Sequence, residues 1–566
     1  MKTPAEIRSR IVEVVGKTGG HLASSLGAVE IACALAKVFD PARDRIVWDV
    51  GHQSYAWKIL TGRDDRFGTL RQFGGISGFP NPNESPADAA VAGHAGMALS
   101  VALGMAAARD RKGTDEHVVA VVGDASMANG VSFEALNNCA HATGKLIVVL
   151  NDNEMSISKP IGSFARFLGR LITGVRYNRV KKAAERAGHG LKLTFLRNIY
   201  HEVESRIKGL FLGSRYFEQF GLRYIGPVDG HDLEAVTDAF TVAKEDKRSV
   251  IVHVVTKKGY GYRPAEMEPT KFHGVGAFAS GRPSSGKPSW SQAFGDAVCK
   301  LARKDSRIVA LTAAMKDGTG LNRFADEFPG RFFDVGIAEE HLVGFAAGLA
   351  AGGLRPVVAV YSTFLQRAVD QVMHDLAISN LPVIIGVDRA GVVGADGVTH
   401  QGLYDLAMLR AIPNVRIVQP KDAEDLEAML SEALERGGVT VVRYPRGACA
   451  GQVEARSFAP GKVAVWCTAD WVEKANRVAE KVGGVVVAAR SLKPVDEALL
   501  DRHRAEGKLV VSIENTAVIG GLGDAIKADL KFGWPDEFIP HGKPEELEQA
   551  YGLDANSIAE RILAHG

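Results

Sequence analysis

A chain of 566 residues with a formal net charge of +2, 46% apolar and 24% charged residues has the composition of a globular protein of about three or four domains. That balance excludes a long disordered chain. It also removes the electrostatic reason to expect nucleic acid or an anionic membrane as the main partner. The 62 glycines, about 11% against a usual value of about 7%, follow no Gly-X-Y period and so signal turns and close backbone approaches. Cys33, Cys139, Cys299, Cys449 and Cys467 show no CxxC spacing, which supports neither a disulfide framework nor a structural zinc site.

The first twenty residues lack a continuous apolar run with a small-residue cleavage site, so a cytoplasmic protein is expected. A helical pattern spans 25–39. Buried strands are predicted at 46–50, 117–122 and 146–150, with a further helical pattern at 98–108. Segment 159–217 is rich in Arg, Lys and aromatics at helical spacing, and reads as a helical insertion near the opening of a site. Residues 279–289, rich in Gly, Pro and Ser, form the best linker, and a weaker break lies at 447–461. Between them, strands are predicted at 308–312, 356–361, 382–388, 415–418 and 439–443. The apolar stretch 343–360 is rich in Gly and Ala and interrupted by Arg355, which makes a poor membrane-spanning helix. A third series of strands is predicted at 462–466, 485–488 and 509–513. Alternation of this kind predicts an α/β fold of three parallel-sheet domains, at 1–278, 290–447 and 460–566.

Walker, GxGxxG and HExxH signatures are absent. Two polar clusters stand out instead: Gly123-Asp124-Ala125 follows one predicted strand, and Asn151-Asp152-Asn153 follows the next. Open α/β sheets place ligands beyond the carboxyl ends of their strands. If the two strands are neighbours, Asp124 and Asn153 face one crevice. A carboxylate and a carboxamide oxygen, completed by a diphosphate and water, suit Mg²⁺, which takes hard oxygen ligands and few protein carboxylates when phosphate supplies the rest. Either cluster alone is more often turn and helix-cap chemistry; the two together, after successive strands, favour the metal reading.

The pair resembles the thiamin diphosphate signature, Gly-Asp-Gly followed by Asn-Asp-Asn. The runs GGHLASSLGAVE (19–30), DVGHQSYAWKILTGR (49–63), LNDNEMSIS (150–158), GPVDGHD (226–232) and TKKGYGYRPAE (256–266) resemble the diphosphate half of the 1-deoxy-D-xylulose-5-phosphate synthase family. GIAEEH (336–341), YSTFLQRAVDQ (361–371), DRAGVVGADGVTHQG (388–402) and RYPRG (443–447) resemble its pyrimidine-binding half. KPVDEALL (493–500) and ENTAVIGGLG (514–523) resemble its third domain. The resemblance implies two thiamin diphosphate-binding folds of transketolase-like type plus a smaller C-terminal domain, and a homodimer. It also implies a reaction in which pyruvate is decarboxylated through a cofactor ylid and enamine and joined to D-glyceraldehyde 3-phosphate.

The same resemblance implies residue roles. Asp124, Asn153 and the carbonyl of Met155 would hold the metal. His52, His94, Ala95, Gly96, Ala125, Ser126 and Tyr262 would face the cofactor. Glu339 would hydrogen-bond its aminopyrimidine, and Phe364 would stack on that ring. His21, His52, His94, His273 and His400 would surround the substrates and move protons, as imidazole does near neutral pH. Tyr361, Arg367, Arg389, Asp396, His400 and Arg446 would bind substrate, with guanidinium groups taking the acceptor's phosphate. Arg446 is preferred to Arg443 on the motif. The chain departs from the family pattern at Ala125, in place of glycine, and at Ala95-Gly96, in place of two serines. There, backbone N–H groups at the following helix start would serve the phosphate. Trp57 stands where a histidine is usual. Alternatives are a transketolase-type sugar transferase, which would need a ketose donor, and a non-catalytic relative that has kept the fold.

Overall fold

The computed structural model describes residues 2–153, 163, 164, 167, 168, 216–278, 288–449, 451 and 453–565. Met155, nearly all of the predicted insertion 159–217 and most of the linker 279–289 lie outside the described residues. The chain forms two compact units: Met1–Leu70 with Gly78–Ala279, and Arg71–Ser77 with Ser280–Gly566.

The first unit holds β1 (Arg45–Trp48), β2 (Val118–Gly123), β3 (Ile147–Asp152), β4 (Arg223–Asp229) and β5 (Val250–Val255) in the order β1-β2-β3-β5-β4, every pair parallel. The runs VVAVVG and IVVLND are apolar at nearly every position because both faces of these inner strands are covered. Helix Ala98–Lys112 packs its buried face, Leu99, Ala102, Leu103 and Ala106, on this sheet. The predicted helix at 25–39 is two helices, Leu22–Gly27 and Val29–Val38. They part at Ala28, whose N–H bonds back to Ser25 rather than one residue further.

The second unit contains two sheets. One uses β6 (Ile308–Thr312), β7 (Phe332–Asp334), β8 (Arg355–Tyr361), β9 (Ile384–Asp388), β10 (Val415–Val418) and β11 (Val439–Arg443). The other uses β12 (Val463–Thr468), β13 (Gly484–Ala489), β15 (Leu509–Ala517) and β16 (Leu530–Trp534), in the order β13-β12-β15-β16. A short β14 (Ser491–Lys493) leaves the second group of strands and pairs antiparallel with β10, giving the larger sheet the order β14-β10-β11-β9-β8-β6-β7. Ser289 opens helix Trp290–Lys304 with a reciprocal capping box to Gln292. The apolar stretch at 343–360 is a helix, Glu339–Ala351, followed by β8, and among the described residues no helix is long and apolar enough to cross a membrane.

Strands β4, β5, β7, β14 and β16 fall outside the predicted set. Four of them are sheet edges, where short or half-exposed segments carry weak patterning, and β4 is interrupted by Gly226-Pro227. β5 is central, but its apolar run is broken by the buried His253.

Arg443 in β11 is locked to Asp405 at 2.8 Å and to Gln419 Oε1 at 2.7 Å, with both charged side chains 1% exposed. Asp405→Ala strands that guanidinium, and should cost about 3–5 kcal/mol of stability. The loss is expected as a lower urea midpoint, and an unchanged midpoint would reject the pairing as a stabilising element.

Candidate active site

In the first unit, polar residues gather at the carboxyl edge of the sheet. β2 and β3 are neighbours in register Gly123↔Asn151, so Asp124 and Asn153 leave adjacent strand ends. Asn151 is pinned inward by Gln53 at 3.1 Å and by the Thr256 hydroxyl at 2.6 Å. Asp152 accepts from His253 Nε2 at 3.0 Å, and His253 Nδ1 in turn lies 2.8 Å from the Tyr224 hydroxyl. These partners require the Nε2–H tautomer of His253. Burial pushes the Asp124 carboxyl up to about 7, and the neighbouring Asp152 adds to the rise, while Lys258 partly opposes it. Lys258, itself buried, is brought down to about 8, with Asp124 holding it from falling further.

Three imidazoles lie beside this group. Ring centroids are 6.1 Å apart for His21 and His52, 5.3 Å for His52 and His273, and 6.0 Å for His21 and His273. Burial keeps His52 and His273 well below the usual imidazole range, helped by the charge of Lys258, so both are neutral at pH 7. His52 Nδ1 is buried without a hydrogen-bond partner among the described residues. Ser24 Oγ lies 3.2 Å from His273 Nδ1.

The turn that carries Lys258 and Tyr262 is locked from behind. Lys257 N–H donates to His231 Nε2 at 2.7 Å, His231 Nδ1 reaches Glu30 Oε2 at 3.3 Å, and His231 stacks on Tyr260 with centroids 3.6 Å apart. Arg8 bonds both Glu30 at 2.5 Å and the Tyr260 carbonyl at 3.0 Å. Burial would raise the Glu30 carboxyl, but His231 and Arg8 outweigh it and hold it below its ordinary value.

At the start of helix Ala98–Lys112, where a phosphate contact is expected, two backbone N–H groups have a protein partner. The Gly96 and Ala98 N–H groups donate to Asp49, at 3.0 and 2.9 Å, and so are already taken. Gly96 has φ +85°, and a Cβ there would come within 2.3 Å of Asn129 Oδ1, so no serine fits this turn. Ala125 lies inside the short helix Asp124–Met127 and has no positive φ, so its methyl group is accommodated without backbone strain. Trp57 is a buried core residue that donates to the Ala87 carbonyl at 3.2 Å.

In the second unit, a comparable edge carries the other predicted residues. Glu339 opens helix Glu339–Ala351, is 3% exposed and lies 3.5 Å from Arg367. Its Oε2 makes no hydrogen bond among the described residues. Burial lifts its carboxyl to about 7, against the opposing pull of Arg367. Tyr361 and Phe364 are stacked at 5.7 Å, and His400 meets Phe364 edge-on at 5.6 Å. The Arg389 guanidinium sits 3.7 Å over the Tyr361 ring. Arg446 is exposed as a residue, yet partial burial and the like charge of Arg389 lower its pKa, with Asp396 opposing. Arg71 donates to Asp396 at 2.7 Å.

The 1-deoxy-D-xylulose-5-phosphate synthase family model matches residues 1–256. The transketolase pyrimidine-binding domain matches 286–451, and the transketolase C-terminal domain matches 467–558. A 1-deoxy-D-xylulose-5-phosphate synthase 1 from Geobacter metallireducens is 46% identical over 99% of this chain and 95% of its own length. The corresponding synthase 2 from Geobacter sulfurreducens is 46% identical over 98% of this chain and 95% of its own. The chain belongs to the 1-deoxy-D-xylulose-5-phosphate synthase family. Among solved structures, a transketolase from Campylobacter jejuni is 17% identical, covering 99% of this chain and 98% of that one, with a TM-score of 0.45.

For this synthase-family chain, the predicted residues fall into two groups. His21, His52, Asp124 and His273 gather in the first unit, with Asn153 at the strand end beside Asp124 and Tyr262 on the locked turn. Glu339, Tyr361, Phe364, Arg367, Arg389, Asp396, His400 and Arg446 are in the second. His94 lies in a first-unit loop and Ser126 in the short helix Asp124–Met127. Asp49, Lys258 and Arg71 were not anticipated. Lys258 sits inside the quoted run TKKGYGYRPAE, whereas nothing in the local sequence around Arg71 marks it. Among the described residues no three His, Cys, Asp or Glu side chains are grouped so as to hold a metal ion.

The raised carboxyl of Glu339 implies a pH-dependent cost. A carboxyl whose folded pKa, about 7, exceeds its ordinary value of 4.5 adds stability below pH 4.5, and that stability is lost as pH rises through 7. Glu339→Gln in the cofactor-free protein should therefore be more stable than the parent at pH 8, by about 3 kcal/mol, with the gain vanishing near pH 4. Thermal melts at the two pH values check this, and a gain independent of pH would contradict the buried-carboxyl assignment.

Proposed function

We propose that the protein condenses pyruvate, with loss of CO₂, with D-glyceraldehyde 3-phosphate to give 1-deoxy-D-xylulose 5-phosphate, the first step of the non-mevalonate isoprenoid route. Carbon balances: pyruvate loses its carboxyl carbon as CO₂, and the remaining two carbons join the three of the aldehyde. Thiamin diphosphate, with Mg²⁺, supplies the carbanion-stabilising group for this chemistry when bound. The observation that carries the reading is Glu339, a buried carboxyl with an unsatisfied oxygen and a raised pKa, set at the start of a helix 3.5 Å from Arg367. Such a group fits a protonated ring nitrogen, which would complete its hydrogen bonding and hold it ionised.

Asp124 and Asn153 fit an oxygen-rich divalent cation, whose charge would relieve the repulsion between Asp124 and Asp152. Lys258 is placed to neutralise a diphosphate next to them. Neutral His52 and His273 can hydrogen-bond a substrate hydroxyl or carboxylate. Arg389 and Arg446, with Tyr361 under the Arg389 guanidinium, would grip the acceptor's phosphate, while Asp396 and His400 would meet its hydroxyls. The backbone conformation of Ala125 supports an active enzyme over a non-catalytic relative, because the departure there costs the turn nothing. We further assign the protein to the cytoplasm and to a homodimeric state, both by family likeness.

Release of labelled CO₂ from carboxyl-labelled pyruvate, dependent on the aldehyde phosphate and on added thiamin diphosphate and Mg²⁺, tests the proposal. Turnover of a ketose phosphate donor with no CO₂ would replace it by a sugar transferase. Glu339→Gln is expected to lower kcat by about 100-fold or more while circular dichroism stays unchanged. Near-parental turnover would remove Glu339 from the mechanism. Arg446→Ala should raise KM for the aldehyde phosphate by about tenfold or more, with KM for pyruvate within about twofold. Equal rises in both would count against a phosphate role.

A further inference from the structure

Residues Arg71–Ser77 are flanked in sequence by the first unit but belong to the second. They form a strap closed by a hydrogen bond from Arg71 N–H to the Ile76 carbonyl at 2.7 Å. From it the Arg71 side chain reaches Asp396 Oδ1 at 2.7 Å and the Ala395 carbonyl at 3.4 Å. Asp396 and His400 lie on a loop whose ends are tied by the reciprocal Gly391–Gly402 bonds, at 2.7 and 2.8 Å. Strap and loop are thus two separate pieces of chain that must keep one spacing for Arg71 and Asp396 to meet.

A short segment of the C-terminal domain, between β16 and helix Pro544–Ala550, holds both pieces. His541 Nε2 lies 3.2 Å from the Gly75 carbonyl of the strap, and because a carbonyl only accepts, Nε2 carries the proton. On the loop side, Gly397 has φ +68° and faces His541 so closely that a Cβ would come within 3.0 Å of its backbone N and its Cβ. Gly397 begins the turn Gly397–Thr399 that presents His400. The Gln401 side chain donates to the Pro540 carbonyl at 3.0 Å and accepts from Val393 N–H at 2.8 Å and Gly394 N–H at 3.3 Å. Asn515, on β15, accepts from Val392 N–H at 3.2 Å and from Trp534 Nε1 at 2.9 Å.

We infer that His541 is a positioning residue for the acceptor substrate: it spaces the Arg71 strap from the Asp396–His400 loop, so the C-terminal domain sets the geometry of acceptor binding. The inference rests on the proposal that Asp396 and His400 meet the acceptor. A glutamine can present an amide donor in place of Nε2–H, whereas alanine cannot.

The test compares His541→Ala, His541→Gln and Asp396→Ala in the full-length holoenzyme. Steady-state kinetics with pyruvate and D-glyceraldehyde 3-phosphate are read alongside amide hydrogen exchange over 71–77 and 390–402. His541→Ala should raise KM for the aldehyde phosphate by about tenfold and leave KM for pyruvate within about twofold. It should also speed exchange in both segments, and His541→Gln should restore both readouts. Equal changes in the two KM values, unaltered exchange, or a glutamine variant no better than alanine would overturn the positioning role. If Asp396→Ala leaves acceptor KM unchanged, the substrate reading of the loop itself fails and the role of His541 in it falls too. If Asp396→Ala raises acceptor KM and His541→Ala does not, only the positioning role fails.

Discussion

Withdrawing a carboxyl group from water without giving it a full set of partners is expensive, and this protein does so in each of its two compact units. Asp124 is buried beside a second carboxylate, Asp152, and Glu339 is buried with one oxygen unsatisfied. Both are lifted to about 7. A chain under no constraint but stability would replace either with a neutral residue of similar shape. The rest of the local structure is arranged around keeping them: Lys258 is drawn into burial next to Asp124, and Arg367 is held 3.5 Å from Glu339. Each cation opposes the rise in its partner's pKa without cancelling it, which leaves room for a ligand's charge to finish the task.

Two strand ends carry residues in the left-handed region. Val50, between Asp49 and His52, has φ +58°, and Arg389, directly after β9, has φ +60°. A β-branched residue in the left-handed region is unfavourable, and persists only where its surroundings over-determine it. At Val50 those surroundings are Asp49, committed to two N–H groups, and the His52 carbonyl, bonded by the Ser25 hydroxyl at 2.9 Å. At Arg389 the guanidinium is fixed over Tyr361. The turn at 257–262 is held by a different means, an Arg8–Glu30–His231 cluster behind it, so that Lys258 gains its position from groups that never face the site.

How much of this was legible in the sequence depends on the physical range of each feature. Inner parallel strands such as β2, β6 and β11 announce themselves because burial on both faces demands apolar residues at every position. Edge strands such as β7 and β14 carry three residues each and no such demand. Asp124 and Asn153 could be placed at adjacent strand ends because each follows its strand immediately. The Arg71–Asp396 pair joins residues far apart in sequence across a strap that has no secondary structure of its own, and no local pattern encodes it. The choice between Arg443 and Arg446 shows the same limit, since only packing reveals that Arg443 is consumed by Asp405 and Gln419.

The departures from the family pattern follow one rule. Ala125 takes the place of a glycine where the backbone is helical, so a methyl group adds no strain. Gly96 takes the place of a serine where φ is +85° and Asn129 leaves no room for a side chain. The two substitutions run in opposite directions, yet each suits the backbone that this chain adopts at its position. Asp49 compensates at the second, since its carboxylate satisfies the Gly96 and Ala98 N–H groups that would otherwise stand open at a helix start. A capped turn of this kind cannot offer those two N–H groups to a ligand, because the Asp49 carboxylate already takes both.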